Sequence, residues 1–368
     1  MQGYFARFGL VGEPGTAEFW DAASHLPLPV SVPAEDGGWS TLFLWRGSPA
    51  TLRFETWSAP VELRRLGDSD CWFAEVPMPA RLRVTYHFHD GDQFDGAHAD
   101  PLNPAGAGGN RSIAATPDAE VQPYWPAVGP DDVLPVPGTR IRWTSKHLGG
   151  RRTVRVHPAE TPGPVVLLLD GDDWMYVHPA VTAFDAAVAN GDMPAATLVF
   201  LPTPQVREAE YGCEPALWEG IRDELLPLLA DNGVPVDLGK LVVAGQSLGG
   251  LSALWAALES PDLVSRVACQ SGSFWWTSTP FDLPDPLDGP RGGDIATRLR
   301  DRPDLSGLRV AFDVGEHEPA MIPHCELVET LTAQAGATVR ASRSTSGHDR
   351  AGWRHALVRD VAWALADD

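Results

Sequence analysis

The sequence predicts an all-β domain followed by an α/β domain whose sheet is mostly parallel and covered by helices on both faces. Three observations carry that expectation. Between about residues 38 and 90, short runs of strand-forming residues alternate with turn residues, which is the pattern of a β-sandwich. From about residue 140 onward, short apolar runs alternate with stretches of helical spacing, the pattern of strands joined by crossover helices. Between them, Asp100 to about Gly138 is rich in Gly and Pro and reads as a linker. The expected division is 1–125 for an Ig-like sandwich with its linker and 126–368 for the α/β domain.

In chain order, residues 1 to about 35 are mixed, with one short helix near Ala17–Ser24. The sandwich strands are read at Thr41–Trp45, Leu52–Trp57, Val61–Leu66, Cys71–Val76 and Arg81–His89. Arg140–Ser145 and Arg152–His157 flank Gly149-Gly150 and read as a hairpin. Buried strands follow at Val165–Leu169, Thr197–Leu201, Leu241–Ala244, Val267–Gln270, Arg309–Val314 and Thr338–Arg343. Helices are expected at about 178–190, 215–230, 249–260, 322–335 and 352–366. Ligands of such a sheet sit at the carboxyl ends of its strands.

The 368 residues carry a formal net charge of −21. That makes nucleic acid and anionic membranes poor partners. Cys71, Cys213, Cys269 and Cys325 are scattered, without a C-x-x-C pair, and read as small buried hydrophobes. No apolar segment follows a basic one at the N-terminus, and no run of about 18 apolar residues occurs. The expected compartment is the cytoplasm.

One motif organises the second domain. Gly245-Gln-Ser-Leu-Gly249 stands between the apolar run Leu241–Ala244 and the helical pattern of Leu251, Leu254, Trp255 and Leu258. Strand, sharp turn and helix is the context of a nucleophile elbow. Ser247 is therefore the candidate nucleophile. The N–H of Leu248, at the helix start, is a candidate oxyanion donor. A second comes from the turn Asp170-Gly171-Asp172 after Val165–Leu169, through the N–H of Asp172. In α/β-hydrolases the acid and then the histidine follow the serine. His348, after the last strand and before the last helix, is the candidate base. Glu316 and Glu318 both leave the preceding strand within reach of that role, and Asp313 is a third candidate.

These residues resemble a family. Leu168-Leu-Asp-Gly-Asp-Asp-Trp174, Val243-Ala-Gly-Gln-Ser-Leu-Gly-Gly-Leu-Ser-Ala-Leu254, Gln270-Ser-Gly-Ser-Phe-Trp-Trp276 and Gly347-His-Asp349 with Trp353-Arg354 resemble the enterochelin (enterobactin) esterases. These are cytosolic hydrolases of iron-loaded catecholate siderophores. The resemblance implies an α/β-hydrolase domain behind an N-terminal β-sandwich, with Asp100-Pro-Leu-Asn-Pro similar to the sandwich's exit motif. It implies Ser247 and His348 in the triad. It also implies Glu318 as the acid, because Gly315-Glu-His-Glu-Pro319 is similar to a Gly-x-x-Glu-Pro segment. Arg207 resembles an arginine on a loop lining the family's pocket.

A ferric catecholate is flat, aromatic and anionic. Trp174, Trp275, Trp276 and Trp353 are the expected stacking platforms, and Arg207, Arg350 and Arg354 the expected charge partners. No cofactor or metal of the protein's own is expected, since iron enters with the substrate. His87 and His89 have the spacing of a metal pair without an evident third ligand. The alternative is an esterase or acyltransferase on another acyl substrate, such as a carbohydrate ester. In that reading the first domain is a binding module with Trp45, Trp57 and Trp72 as its platform. The sequence assigns no oligomeric state.

Overall fold

The structure is a computed structural model. It describes residues 2–366 with the exception of 36, 49, 58, 91–95, 104, 130–131, 161–162, 280–284 and 302–303. Two compact units divide the chain. The first comprises Met1–Gln122, Pro126–Leu134 and Thr345–Gly352, and the second Pro123–Trp125, Pro135–Ser344 and Trp353–Asp368.

The strands of the first unit are β1 (Val30–Pro33), β2 (Trp39–Arg46), β3 (Thr51–Phe54), β4 (Val61–Glu62), β5 (Arg64–Arg65), β6 (Cys71–Met78), β7 (Arg83–His89), β8 (Ala97–His98), β9 (Gly106–Ala107) and β10 (Arg111–Ala115). They form a sheet of order β1-β2-β6-β5 and another of order β4-β3-β7-β10-β9, with β8 on β7. The alternation of β2 shows why both of its faces are apolar. Phe43 faces the other sheet and meets Phe54 and Tyr86 edge-on. Leu42 and Leu44 point the opposite way, into a cluster with Phe5, Phe19 and Trp20 from the N-terminal helices. Each such side chain contributes about 1.5–3 kcal/mol by leaving water.

The Gly- and Pro-rich stretch is not a linker where it begins. Arg111–Ala115 is a full strand between β7 and β9. Asn103 Nδ2 donates to Tyr86 Oη and to the Ile113 carbonyl, both at 2.9 Å. Tyr86 Oη donates to Asp100 at 2.7 Å. The glycine at 106 answers a close approach, since a Cβ there would stand 1.8 Å from the Val128 carbonyl oxygen. Trp45 packs 4.8 Å from Phe88 and Trp57 4.2 Å from Phe54. With Trp72 they lie half-buried against the sandwich core, so each gives at least part of its indole to packing. Among the described residues no cluster of His, Cys, Asp and Glu could hold a metal ion, His87 and His89 included.

The second unit holds one eight-stranded sheet. Its strands are β11 (Thr139–Thr144), β12 (Arg151–His157), β13 (Val165–Leu168), β14 (Thr197–Phe200), β15 (Val242–Gln246), β16 (Arg266–Gln270), β17 (Arg309–Gly315) and β18 (Thr338–Ser344), in the order β11-β12-β14-β13-β15-β16-β17-β18. Pairing is antiparallel through β11, β12 and β14 and parallel from β14 onward. The buried strands are apolar throughout because each face has its own core. Val165 and Leu167 join one cluster, and Val166 and Leu168 the other. The chain leaves β13 toward β14, then returns to β15 on the other side of β13. That reversal opens a crevice at the carboxyl ends of β13 and β15, which are the Asp170 turn and Ser247. Among the described residues of this unit, three short α-helices were not expected from the sequence: Gly171–Tyr176, Arg207–Tyr211 and Gly293–Asp301. Among the described residues no helix is long and apolar enough to cross a membrane.

Candidate active site

Ser247 sits where β15 turns into the helix Leu248–Glu259, with φ 55° and ψ −123°. This backbone region is costly for a residue with a Cβ and persists only where packing enforces it. Packing does enforce it here. A Cβ on Gly245 would lie 2.3 Å from the Gly249 carbonyl oxygen, and one on Gly250 would lie 2.7 Å from Cys269 Sγ. Those glycines let helix and strand close on the serine. The Ser247 N–H donates to the Gln270 carbonyl at 3.1 Å, and its Oγ lies 3.1 Å from Ser273 Oγ. Leu248 begins the helix, so its N–H has no acceptor within the helix and is available to an anion.

The neighbouring strand ends are built alike. Asp170 after β13 and Ser271 after β16 are also non-glycine residues at positive φ, 51° and 45°. Gly171 is required by proximity: its N–H reaches the Leu201 carbonyl at 2.6 Å, and a Cβ would lie 2.7 Å from that oxygen. Asp172 stands second in the helix Gly171–Tyr176, where its N–H also lacks a helical acceptor. Its carboxylate accepts from the Thr203 N–H at 2.9 Å.

The three candidate acids have different surroundings. Glu316 is exposed. Asp313 is buried within β17 and is engaged by Arg359 at 2.9 Å and Ser342 Oγ at 2.8 Å. Glu318 is 5% exposed, just beyond the strand. Its Oε1 accepts from the Gly315 N–H at 2.9 Å and from the Ser271 hydroxyl. The Ser271 oxygen in turn accepts from Trp353 Nε1 at 2.8 Å. Of the three, only Glu318 combines burial, a position off the strand end and an oriented carboxylate.

His348 is half-buried in the turn between β18 and the helix Arg350–Leu365. Its segment, Thr345–Gly352, belongs to the first unit. There the Asp349 carboxylate accepts from the Thr85 N–H at 2.6 Å, from Thr85 Oγ1 at 2.7 Å and from the Ala351 N–H at 2.7 Å. Burial raises the Asp349 pKa, against the pull of those donors. Gly347 is held so close to Thr56 that a Cβ would meet Thr56 Cγ2 at 2.2 Å.

Three of the expected substrate contacts, Trp174, Trp353 and Arg354, need correction. Trp174 is fully buried, and its Nε1 donates to Gln246 at 3.0 Å. Trp353 is 3% exposed and tied to Ser271. Neither offers a ring face to a ligand. Arg354 is 6% exposed, with its guanidinium 5.6 Å from the Trp125 ring, and is a packing residue. Arg207 is held by Asp170 in a bidentate pair at 3.1 and 2.7 Å. Burial disfavours its charge, but the Asp170 carboxylate outweighs that and raises its pKa. Trp275 and Trp276 are half-buried in the loop after β16.

Sequence reasoning missed a polar chain beneath the elbow. Trp174 donates to Gln246, Gln246 Nε2 to Gln270 at 2.7 Å, and Gln270 Nε2 to Asp360 at 2.9 Å. Arg359 then bridges Asp360 and Asp313. Burial, opposed by Arg359, lifts the Asp360 pKa to about 6. The legible signal was the pair of glutamines, each preceding a strand-end serine and opposite each other in register. The thiols of Cys71 and Cys213 are pushed up to about 12 by burial, so they stay protonated and unreactive.

A family model described as "Putative esterase" matches residues 145–364. An iron(III) enterobactin esterase of Dickeya dadantii is 29% identical, across 100% of this chain and 97% of that protein. An iron(III) salmochelin esterase of Escherichia coli O6:H1 is 27% identical, across 94% of this chain and 92% of that protein. The crystal structure of the ferric enterobactin esterase of Salmonella typhimurium matches with a TM-score of 0.78 at 25% identity, covering 94% of this chain and 98% of the other.

Proposed function

The chain belongs to the esterase family, and from that premise we propose that it is a serine hydrolase that opens the ester bonds of a ferric catecholate trilactone. In this reading the activity belongs to the cytoplasm, where an opened trilactone holds iron(III) less tightly. The observation that carries the reading is the near full-length likeness to esterases named for iron(III) enterobactin and iron(III) salmochelin. The strained Ser247 elbow and the oriented Glu318 carboxylate support it.

In this mechanism Ser247 Oγ bonds to the ester carbonyl carbon as its proton passes to His348. Glu318 orients the imidazole and stabilises its charged form. The oxyanion is held by the N–H groups of Leu248 and Asp172. The bond to the leaving seryl oxygen breaks as His348 returns the proton to it. Water then repeats the sequence on the acyl-enzyme, releasing the carboxylate and restoring Ser247. No cofactor is needed, and iron enters as part of the substrate.

The test is incubation with the ferric trilactone and mass analysis of the products. The enzyme should yield opened esters, and Ser247→Ala should lose activity by about 10⁴-fold or more. Retention of most activity in that variant removes Ser247 from the mechanism. Failure of the enzyme to open the trilactone removes the substrate.

A further inference from the structure

Arg207 is bound to Asp170 and Arg354 is buried, so further charge partners for an anionic substrate would lie on the surface of the second unit. The hairpin of β11 and β12 supplies one. Its strands alternate, so Ile141 and Val154 are buried on one face while Arg140 and Arg142 are exposed on the other. Arg151 and Arg155 share that outer face, and Arg140 stands directly opposite Arg155 in register. Like charges placed opposite one another destabilise a hairpin. Among the described residues, Arg140, Arg142 and Arg151 have no carboxylate within ion-pair distance, and Arg155 donates to the Pro137 carbonyl at 3.1 Å.

The arginines also border a concavity. A cavity of about 830 Å³ is lined by Arg140, Arg151, Arg152 and Arg155 against only two carboxylates, Asp172 and Glu210. Glu210 is itself neutralised by Arg152 in a bidentate pair at 2.9 and 3.0 Å. The basin is thus cationic in a chain of net charge −21. Its volume falls in the range of small-molecule sites. Tyr176, 45% exposed, and Val206, 57% exposed, add an aromatic and an apolar wall. Asp172, whose backbone N–H is the proposed oxyanion donor, stands on its rim. Charges on an edge strand also guard against strand pairing, but that role does not require them to surround a cavity.

We infer that this basin is the subsite for the anionic iron–catecholate end of the substrate. The hairpin arginines face the catecholate oxygens, Tyr176 lies against a ring, and the ester reaches past Asp172 to Ser247. The inference rests on the siderophore-esterase reading and adds to it the residues that would hold the iron-loaded end. Iron(III) displaces the hydroxyl protons of the catechols and leaves an anionic complex, whereas the iron-free catechols are neutral near pH 7. The subsite therefore selects the iron-loaded form.

The test compares Arg140→Glu, Arg151→Glu and Arg142→Glu. All three positions are exposed on one face, but Arg142 does not line the cavity. The readout is kcat/KM for the ferric trilactone relative to a small neutral ester, p-nitrophenyl butyrate, at low and high salt. Reversal at Arg140 or Arg151 should lower that ratio by on the order of tenfold, mainly through KM, and salt should narrow the loss. Arg142→Glu should lower it far less, and the iron-free trilactone should respond less than the ferric one. Equal effects of all three variants, or equal losses on both esters, overturn the subsite. In a second arm, ferric trilactone quenches tryptophan fluorescence of the Ser247→Ala protein. Weaker quenching after Arg140→Glu supports the subsite, and unchanged quenching overturns it. An enzyme that opens neither trilactone refutes the parent reading, while the quenching arm still decides the subsite.

Discussion

Glu318 has its carboxylate fixed by two donors, one of which is itself fixed by an indole. A carboxylate held this way can orient an imidazole, whereas the exposed carboxylate of Glu316 has water as its alternative. Glu318→Gln should therefore lower kcat by on the order of 10²–10⁴-fold, with Glu316→Gln within about twofold of the parent. Trp353→Phe removes the N–H given to Ser271, so it should lower kcat while leaving KM for a small ester in place. Steady-state kinetics on p-nitrophenyl butyrate checks all three, and equal losses in the two glutamine variants would move the role away from Glu318. The residue scale also shows what a sequence can reveal. Ser247 was legible because the elbow needs small residues at fixed offsets, and the observed clearance at Gly245 is the physical form of that need. The chain Trp353–Ser271–Glu318 was not legible. Its members lie far apart along the chain and meet only through the fold. Trp174 and Trp353 were misjudged for a related reason: an indole reads the same in sequence whether it faces a ligand or donates to a buried polar side chain.

Among the elements, the loop Thr345–Gly352 has the most demanding role. It carries His348, yet its immediate fastening is to β7, through the two bonds from Thr85 to Asp349 and the Arg83 N–H that reaches the Thr345 carbonyl at 3.2 Å. Asp349→Asn would turn an amide N–H toward one of the Thr85 donors and loosen the loop. A shift of about an ångström in a catalytic group can cost about 10²-fold. A loss of roughly 10- to 100-fold in kcat is therefore expected, of the same size for a small neutral ester as for the trilactone. A loss confined to the trilactone would make the loop a substrate contact instead of a support for the base. The sandwich strand β10, Arg-Ser-Ile-Ala-Ala, escaped the sequence reading because the glycines and prolines around it look like a linker, until the close approach of Gly106 on β9 to Val128 is seen. The arginine alternation on β11 and β12 was present in the predicted hairpin. Its meaning depended on the cavity beside it, which no local pattern records.

For the molecule as a whole, two buried aspartates with pKa values of about 6 contribute to the response to pH. Burial lifts Asp100 in the first unit from 3.8 to about 6, against the bonds from Tyr86 and Leu102, and Asp360 in the second unit also reaches about 6. A raised folded-state pKa contributes stability that is full below the unfolded value and lost as pH rises through the folded one. These groups therefore favour folding near pH 4 and cease to do so above about 6. His87, held down at about 4 by burial, acts in the opposite sense: its stability is present above the ordinary histidine range and fades in acid. It is half-buried, so its effect is the more screened. Comparing Asp100→Asn with the parent cancels His87. The variant should gain on the parent by up to roughly 3 kcal/mol between pH 4 and 7.5, read from urea midpoints and slopes. A constant gap across that range would show that Asp100 does not titrate as its burial implies.

The return of the chain to the first unit at Thr345–Gly352 has a consequence for biosynthesis. A ribosome makes the sandwich first and completes it nearly last. Until Asp349 is translated, the amide and hydroxyl of Thr85 have no carboxylate to receive them, and water must serve. The proposed nucleophile, Ser247, is made about a hundred residues before the proposed base, His348. The last fastening of the first unit thus waits for codons close to the end of the message.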